Sequence, residues 1–172
     1  MTQNGKCALL LGATGLTGGH CLKLLLADPA FAEVRVLTRR PLGLQHAKLR
    51  EFLFDGDLHD QLDTFAVDVV FCCLGTTLKK AGSRESFRKV DFTLCVMAAS
   101  LARRAGVSTF VAISAVNANP RALGFYARTK GEMEEALRTL GFPHLIFARP
   151  SLLLGERSEA RLLEGLGQRL FA

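Results

Sequence analysis

The stretch Lys6-Cys7-Ala8-Leu9-Leu10-Leu11-Gly12-Ala13-Thr14-Gly15-Leu16-Thr17-Gly18 decides the fold of this chain. Its first half is an unbroken apolar run, as expected of a strand buried on both faces. Three glycines follow, spaced by two residues, and they run directly into Leu16 to Ala27. That segment repeats leucine at helical spacing through Leu22, Leu25 and Leu26, and Asp28-Pro29 stops it. A strand, a glycine-rich turn and a helix in this order suit a diphosphate. The turn lets backbone N–H groups approach closely, and the helix N-terminus favours negative charge. Gly12, Thr14, Gly15, Leu16, Thr17 and Gly18 are therefore the predicted cradle of a dinucleotide, with Thr14 and Thr17 adding hydroxyl donors. The alternative is a plain strand-to-helix turn that uses glycine only for shape, and the flanking strand and helix argue against it.

Outward from this turn, strand and helix patterns alternate. Strands are expected at Val34 to Thr38, Leu49 to Phe54, Asp68 to Cys73, Val107 to Ile113 and His144 to Ala148. Helices are expected at Phe87 to Ala105 and Leu123 to Leu140, each closed by glycine. Such alternation predicts a three-layer, doubly wound α/β Rossmann fold with a mostly parallel sheet. Residues 1–172 read as one domain. Within it, 151–172 is a short extension, with a loop at Ser151 to Gly155 and an amphipathic helix at Glu159 to Leu170, expected to form part of a substrate pocket.

The end of the second strand selects the cofactor. A carboxylate there holds the adenosine ribose of NAD, but this chain has Thr38-Arg39-Arg40. Guanidinium groups pair with phosphate in a fork and keep their charge, so Arg39 and Arg40 favour NADP(H), with NAD(H) still possible. A solvated basic turn is the alternative.

Ser114 closes the fifth strand. Tyr126, the only tyrosine, precedes Lys130 by one helical turn, which puts both on one face. Reduction of a carbonyl needs a hydride and a proton delivered to the developing alkoxide. A phenol ordinarily titrates near ~10, and a neighbouring ammonium favours its ionised form. Ser114, Tyr126 and Lys130 are the predicted catalytic set. Tyr-x-x-x-Lys alone is common on surface helices, and its value here comes from following the fifth strand of a glycine-turn domain.

Composition narrows the rest. The chain has 172 residues, 49% hydrophobic, with a formal net charge of +6. Basic pairs stand at Arg39-Arg40, Lys79-Lys80 and Arg103-Arg104. This excess favours anionic ligands, and no nucleic acid is expected, because no basic stretch is interleaved with aromatics. The five cysteines, Cys7, Cys21, Cys72, Cys73 and Cys95, lack CxxC spacing, so neither a disulfide framework nor a metal site is expected. No apolar run reaches the length of a membrane span. Met1 to Lys6 lacks the layout of a signal peptide, and a cytoplasmic protein is expected.

These residues resemble the atypical branch of the short-chain dehydrogenase/reductase superfamily, specifically its Tat-interacting-protein-like oxidoreductases. The resemblance runs through Gly12 to Gly18, Thr38 to Arg40, Phe71-Cys72-Cys73-Leu74-Gly75-Thr76-Thr77, Lys89-Val90-Asp91, Ser114, Tyr126 to Glu132 and Phe147-Ala148-Arg149-Pro150. It implies an NADP(H)-binding fold with Ser114, Tyr126 and Lys130 in the positions of the family's catalytic triad. Gly75 and Thr76 would face the cofactor, Asp57 would sit near the adenine, and Pro150 would pass near the nicotinamide carboxamide. Asp91 stands where many members carry an Asn that helps a water-mediated proton relay. The implied partners are a small carbonyl or alcohol substrate and, for a homodimer rather than a monomer, a second copy of the chain. A non-catalytic NADP(H) sensor or scaffold is the alternative. A sugar-nucleotide enzyme fits poorly, since those relatives carry a larger C-terminal region.

Overall fold

The structure, a computed structural model, describes residues 5–150. The loop and helix expected within 151–172, and their part in a pocket, lie outside the described residues. The glycine turn stands where the sheet changes its direction of growth. Strands β1 (Lys6–Leu11), β2 (Phe31–Thr38) and β3 (Leu49–Leu53) grow one half of the sheet. Strands β4 (Val69–Cys72), β5 (Thr109–Ile113) and β6 (His144–Ala148) grow the other. The order is β3-β2-β1-β4-β5-β6, and every neighbouring pair is parallel. Crevices at such a switch point, outside the carboxyl ends of the strands, are where α/β sheets bind ligands.

Both faces are covered, which is why the central strands read as continuous apolar runs. Helix α1 (Leu16–Ala27) lays Leu22, Leu25 and Leu26 on Ala8, Leu10, Val34 and Val36. On the opposite face Leu9, Leu11, Phe110 and Ala112 meet Ala98, Ala102, Met133 and Leu137 from α4 (Cys95–Arg104) and α5 (Phe125–Arg138). Cys72 and Cys95 lie in this core as small apolar residues, and all five cysteines are free thiols.

The differences from the sequence reading have local causes. β2 begins at Phe31 rather than Val34, because Phe31 pairs with Lys6 across an irregularity in β1. The segment read as one helix from Phe87 to Ala105 is three pieces in series. These are α3 (Arg84–Arg88), a π-helical turn over Lys89–Leu94, and α4. α5 starts at Phe125 rather than Leu123, because Gly124 takes the cap position in extended backbone and leaves Leu123 fully exposed. A short helix α2 (Leu78–Ala81) and a 3-10 turn at Leu62–Phe65 lack the apolar period that betrays longer elements. No helix among the described residues is long and apolar enough to cross a membrane.

Candidate dinucleotide site

Two of the three glycines are required by contact, and Gly12 by conformation as well. Gly12 has φ +82°, and a Cβ there would sit 2.5 Å from the Cys73 carbonyl oxygen. A Cβ on Gly18 would fall 2.0 Å from the Gly12 oxygen, so the start of α1 lies against the turn as only glycine permits. Gly15 caps α1 in extended backbone and supplies no side-chain hydrogen bond to it. The first turn of α1 also lacks an acidic residue. The helix thus presents amide donors and the positive end of its dipole without a built-in anion, which fits a diphosphate. Thr14 is exposed and Thr17 half-buried at its rim.

Arg39 and Arg40 are exposed at the carboxyl end of β2. The Thr38 hydroxyl donates to the Arg40 carbonyl at 3.0 Å and fixes this turn. Beyond β3, Asp57 accepts a hydrogen bond from the His59 amide at 3.0 Å. Together with Lys89, Thr93 and Met97 it lines an open cavity of about 330 Å³. A larger groove, about 590 Å³ between Phe92 and the outer face of α5, contains none of the predicted site residues.

The predicted Lys130 is held by Asp91. Its ammonium lies 2.8 Å from Asp91 Oδ1 and donates to the Ile113 carbonyl at 3.3 Å. Both side chains are sealed, at 3% and 1% exposure. The other carboxylate oxygen accepts the Thr76 amide at 2.8 Å, tying the loop after β4 to the same clasp. Gly75 passes close enough that a Cβ would lie 3.4 Å from Asp91. The π-helical turn inserts an extra residue per turn and carries Asp91 inward, a device often found at functional sites. Burial alone would push the Lys130 pKa down, but the charges of Asp91 and its other neighbours more than offset this and hold it above its ordinary value. Lys130 therefore stays an ammonium.

Tyr126 is 45% exposed, its ring 5.8 Å from that of Phe87. It lies one helical turn before Lys130 on α5, on the same face. Ser114 is placed differently. It continues the alternation of Phe110 and Ala112, so it faces the helical layer and is 2% exposed. Its hydroxyl finds no hydrogen-bond partner among the described residues, although it lies close enough to Glu134 to help lower that carboxyl's pKa. Lys130, Asp91, Gly75 and Thr76 are brought together with Tyr126 one helical turn away, and Ser114 is buried near Glu134. Pro150 lies at the same edge, its carbonyl accepting the Val116 amide at 3.2 Å.

Residues 12–169 match the family model described as NAD(P)H-binding. The chain belongs to this NAD(P)H-binding family. Among curated relatives, the mitochondrial protein FMP52 of Candida albicans is 36% identical over 164 residues, covering 92% of this chain and 70% of its own length. HTATIP2 of Rattus norvegicus is 34% identical over 174 residues, covering 98% and 72%. This bears out the likeness to Tat-interacting-protein-like members. The Bordetella bronchiseptica enzyme WbmG in complex with NAD shares the fold at TM-score 0.72 with 18% identity, over 95% of this chain and 61% of its own. The chain thus spans about three fifths of that solved structure's length.

The curated relatives overturn one expectation. Several are named mitochondrial proteins, which contradicts a cytoplasmic location. That expectation rested on six N-terminal residues and the lack of an apolar span, and neither distinguishes one aqueous compartment from another.

Sequence reading missed two features of the site, the Asp91 clasp and a cluster at Glu134. Glu134 is buried on α5, and Arg149 Nε donates to it at 2.8 Å and Arg138 at 3.0 Å. The visible signal was its position one turn beyond Lys130. Burial raises its pKa, but the hydrogen bond from Arg149 and the other donors outweigh this and leave it below the ordinary 4.5. Its contribution to stability is therefore present above 4.5 and is lost as pH falls through the lower folded value. Glu134→Gln is expected to cost about 2 kcal/mol at neutral pH, with the gap to wild type closing in acid. Urea melts across pH check this, and a gap constant with pH would contradict it.

Proposed function

We propose that this protein is an NADP(H)-dependent oxidoreductase that moves a hydride to or from a small carbonyl or alcohol, with Tyr126 as the acid/base. The observation that carries the reading is the half-exposed Tyr126 beside a sealed, charged Lys130. Gly12 to Gly18 would hold the diphosphate, Arg39 and Arg40 the ribose phosphate, Asp57 the adenosine end, and Gly75, Thr76 and Pro150 the nicotinamide end. When bound, the nicotinamide supplies or accepts the hydride. The chain's own residues handle the proton: the Tyr126 hydroxyl gives it to, or takes it from, the substrate oxygen. The Lys130 ammonium, steadied by Asp91, places a fixed positive charge one helical turn from Tyr126. The relatives' names support a mitochondrial place of work.

Tyr126→Phe is expected to lower turnover by roughly 10²–10⁴-fold while NADPH affinity stays within about threefold. NADPH absorbance with a panel of aldehydes, ketones and quinones measures the first quantity and calorimetry the second. Undiminished turnover would remove Tyr126 from the mechanism. Replacing Arg39 and Arg40 together by Ala is expected to weaken NADPH by roughly thirtyfold and leave NADH unchanged. An equal loss for both nucleotides would contradict the assignment of these arginines.

A second reading, a non-catalytic NADP(H) sensor, is favoured by the burial of Ser114, whose hydroxyl does not open on the surface where a substrate oxygen would lie. NADPH binding without turnover of any carbonyl in the panel would select it.

A further inference from the structure

The carboxyl edge of the sheet has two halves with different chemistry. β1 and β2 deliver the glycine turn and Arg39-Arg40, which together suffice for the phosphates of a dinucleotide. The loops after β4 and β5 leave the same edge on the other half and carry charges the cofactor does not need. Residues 73–84 and 114–128 contain five basic side chains, Lys79, Lys80, Arg84, Arg121 and Arg128, and no acidic one. The same two loops hold Leu78, Val116, Leu123 and Tyr126, four of the eight large apolar side chains exposed among the described residues.

These loops are neighbours. Phe87 packs its ring 5.5 Å from Phe125 and 5.8 Å from Tyr126. The Arg84 guanidinium lies over Phe125 at 5.3 Å. Arg128 donates to the Ala122 and Leu123 carbonyls at 3.2 and 3.3 Å, which fixes the turn that presents Leu123. The surround of Tyr126 is therefore rich in apolar and cationic side chains, Glu85 standing next to Arg84 and the Asp91 carboxylate being sealed against Lys130. Exposed apolar side chains mark a binding surface, and an excess of basic over acidic residues favours an anion.

We propose that the substrate bound beside Tyr126 is an amphiphilic anion. It is a carbonyl or alcohol compound whose apolar body rests on Leu78, Val116 and Leu123 and whose carboxylate or phosphate meets Lys79, Arg84 and Arg121. This rests on the reading of Tyr126 as acid/base. In the reductive direction the carbonyl carbon takes a hydride from the dihydronicotinamide, which becomes the oxidised nucleotide. The carbonyl oxygen takes the Tyr126 proton, an alcohol results, and the anionic end is unchanged.

The test compares ω-oxodecanoate with its methyl ester as substrates for the full chain, in wild type and in Lys79→Glu/Arg121→Glu, with circular dichroism confirming the fold of each. The acid is expected to exceed the ester roughly tenfold in kcat/KM through KM, and the charge reversal to erase that preference. In parallel, decanoate below its micellar concentration is expected to raise the melting temperature of NADPH-loaded wild type but not of the reversed variant. Equal turnover of acid and ester, with no decanoate shift, would overturn the proposal. So would binding of phosphatidylserine vesicles through these loops that decanoate fails to displace, since the cations would then serve a membrane surface. No aldehyde turnover, with a charge-sensitive decanoate shift intact, would end the hydride-transfer reading and leave the anion site standing.

Discussion

Asp91→Ala is expected to cost about 3–5 kcal/mol, much of the stability of a domain this size. The substitution strands a charge. Lys130 is 3% exposed and, among the described residues, keeps only the Ile113 carbonyl as a hydrogen-bond partner. The Thr76 amide also loses its acceptor, so the loop after β4 is released. Removing both charges avoids the stranded ion, and a buried pair replaced by apolar groups is often nearly neutral. Asp91→Ala combined with Lys130→Met is therefore expected to recover about half of the loss. Urea denaturation of the two single variants and the double variant measures the coupling. Additive costs would show that the two side chains do not act as a pair. Asp91→Asn keeps an acceptor for Thr76 and should cost less than alanine.

Gly18→Ala is expected to weaken NADP(H) binding by more than about a hundredfold and to cost about 3 kcal/mol of stability. The added methyl would meet the Gly12 carbonyl at 2.0 and 2.6 Å and the Ala13 Cα at 3.1 Å. All of these are backbone atoms, so the strain cannot be relieved by a side-chain rotation. α1 must lift away from β1, and the amides at its start then lose their aim. Gly19→Ala is the control. Its methyl would come no closer than 3.5 Å, to the Ala13 oxygen. Alanine is also the better helix former there, so stability should rise by up to about 1 kcal/mol. Equal loss of binding in both variants would contradict the packing argument.

Much of this architecture was legible because it follows from short-range pattern. β1 and α1 end where the sequence places them, since an apolar run, three glycines and Asp28-Pro29 punctuate them. Tyr126 and Lys130 were legible as a helical pair. Their anchor was not, because Asp91 lies in a segment whose apolar period continues smoothly through the π-helical turn. Nothing in that period announces the extra residue that swings the carboxylate toward α5. Gly131 is a second case. A Cβ there would fall 2.2 Å from the Asn119–Pro120 backbone, a close approach between segments that no local pattern encodes. Ser114 was partly legible. Strand alternation from Phe110 and Ala112 points it toward the helical layer, while the missing partner of its hydroxyl has no local signature.

In the proposed function, the glycine turn and the start of α1 grip a nicotinamide dinucleotide. Isothermal titration of NADPH into the folded chain, repeated with Gly18→Ala, tests it most directly. The expected result is saturable binding at one site, tighter for NADPH than for NADH and lost in the variant. Absence of heat and of saturation with either nucleotide, in wild-type protein whose fold circular dichroism verifies, would contradict it.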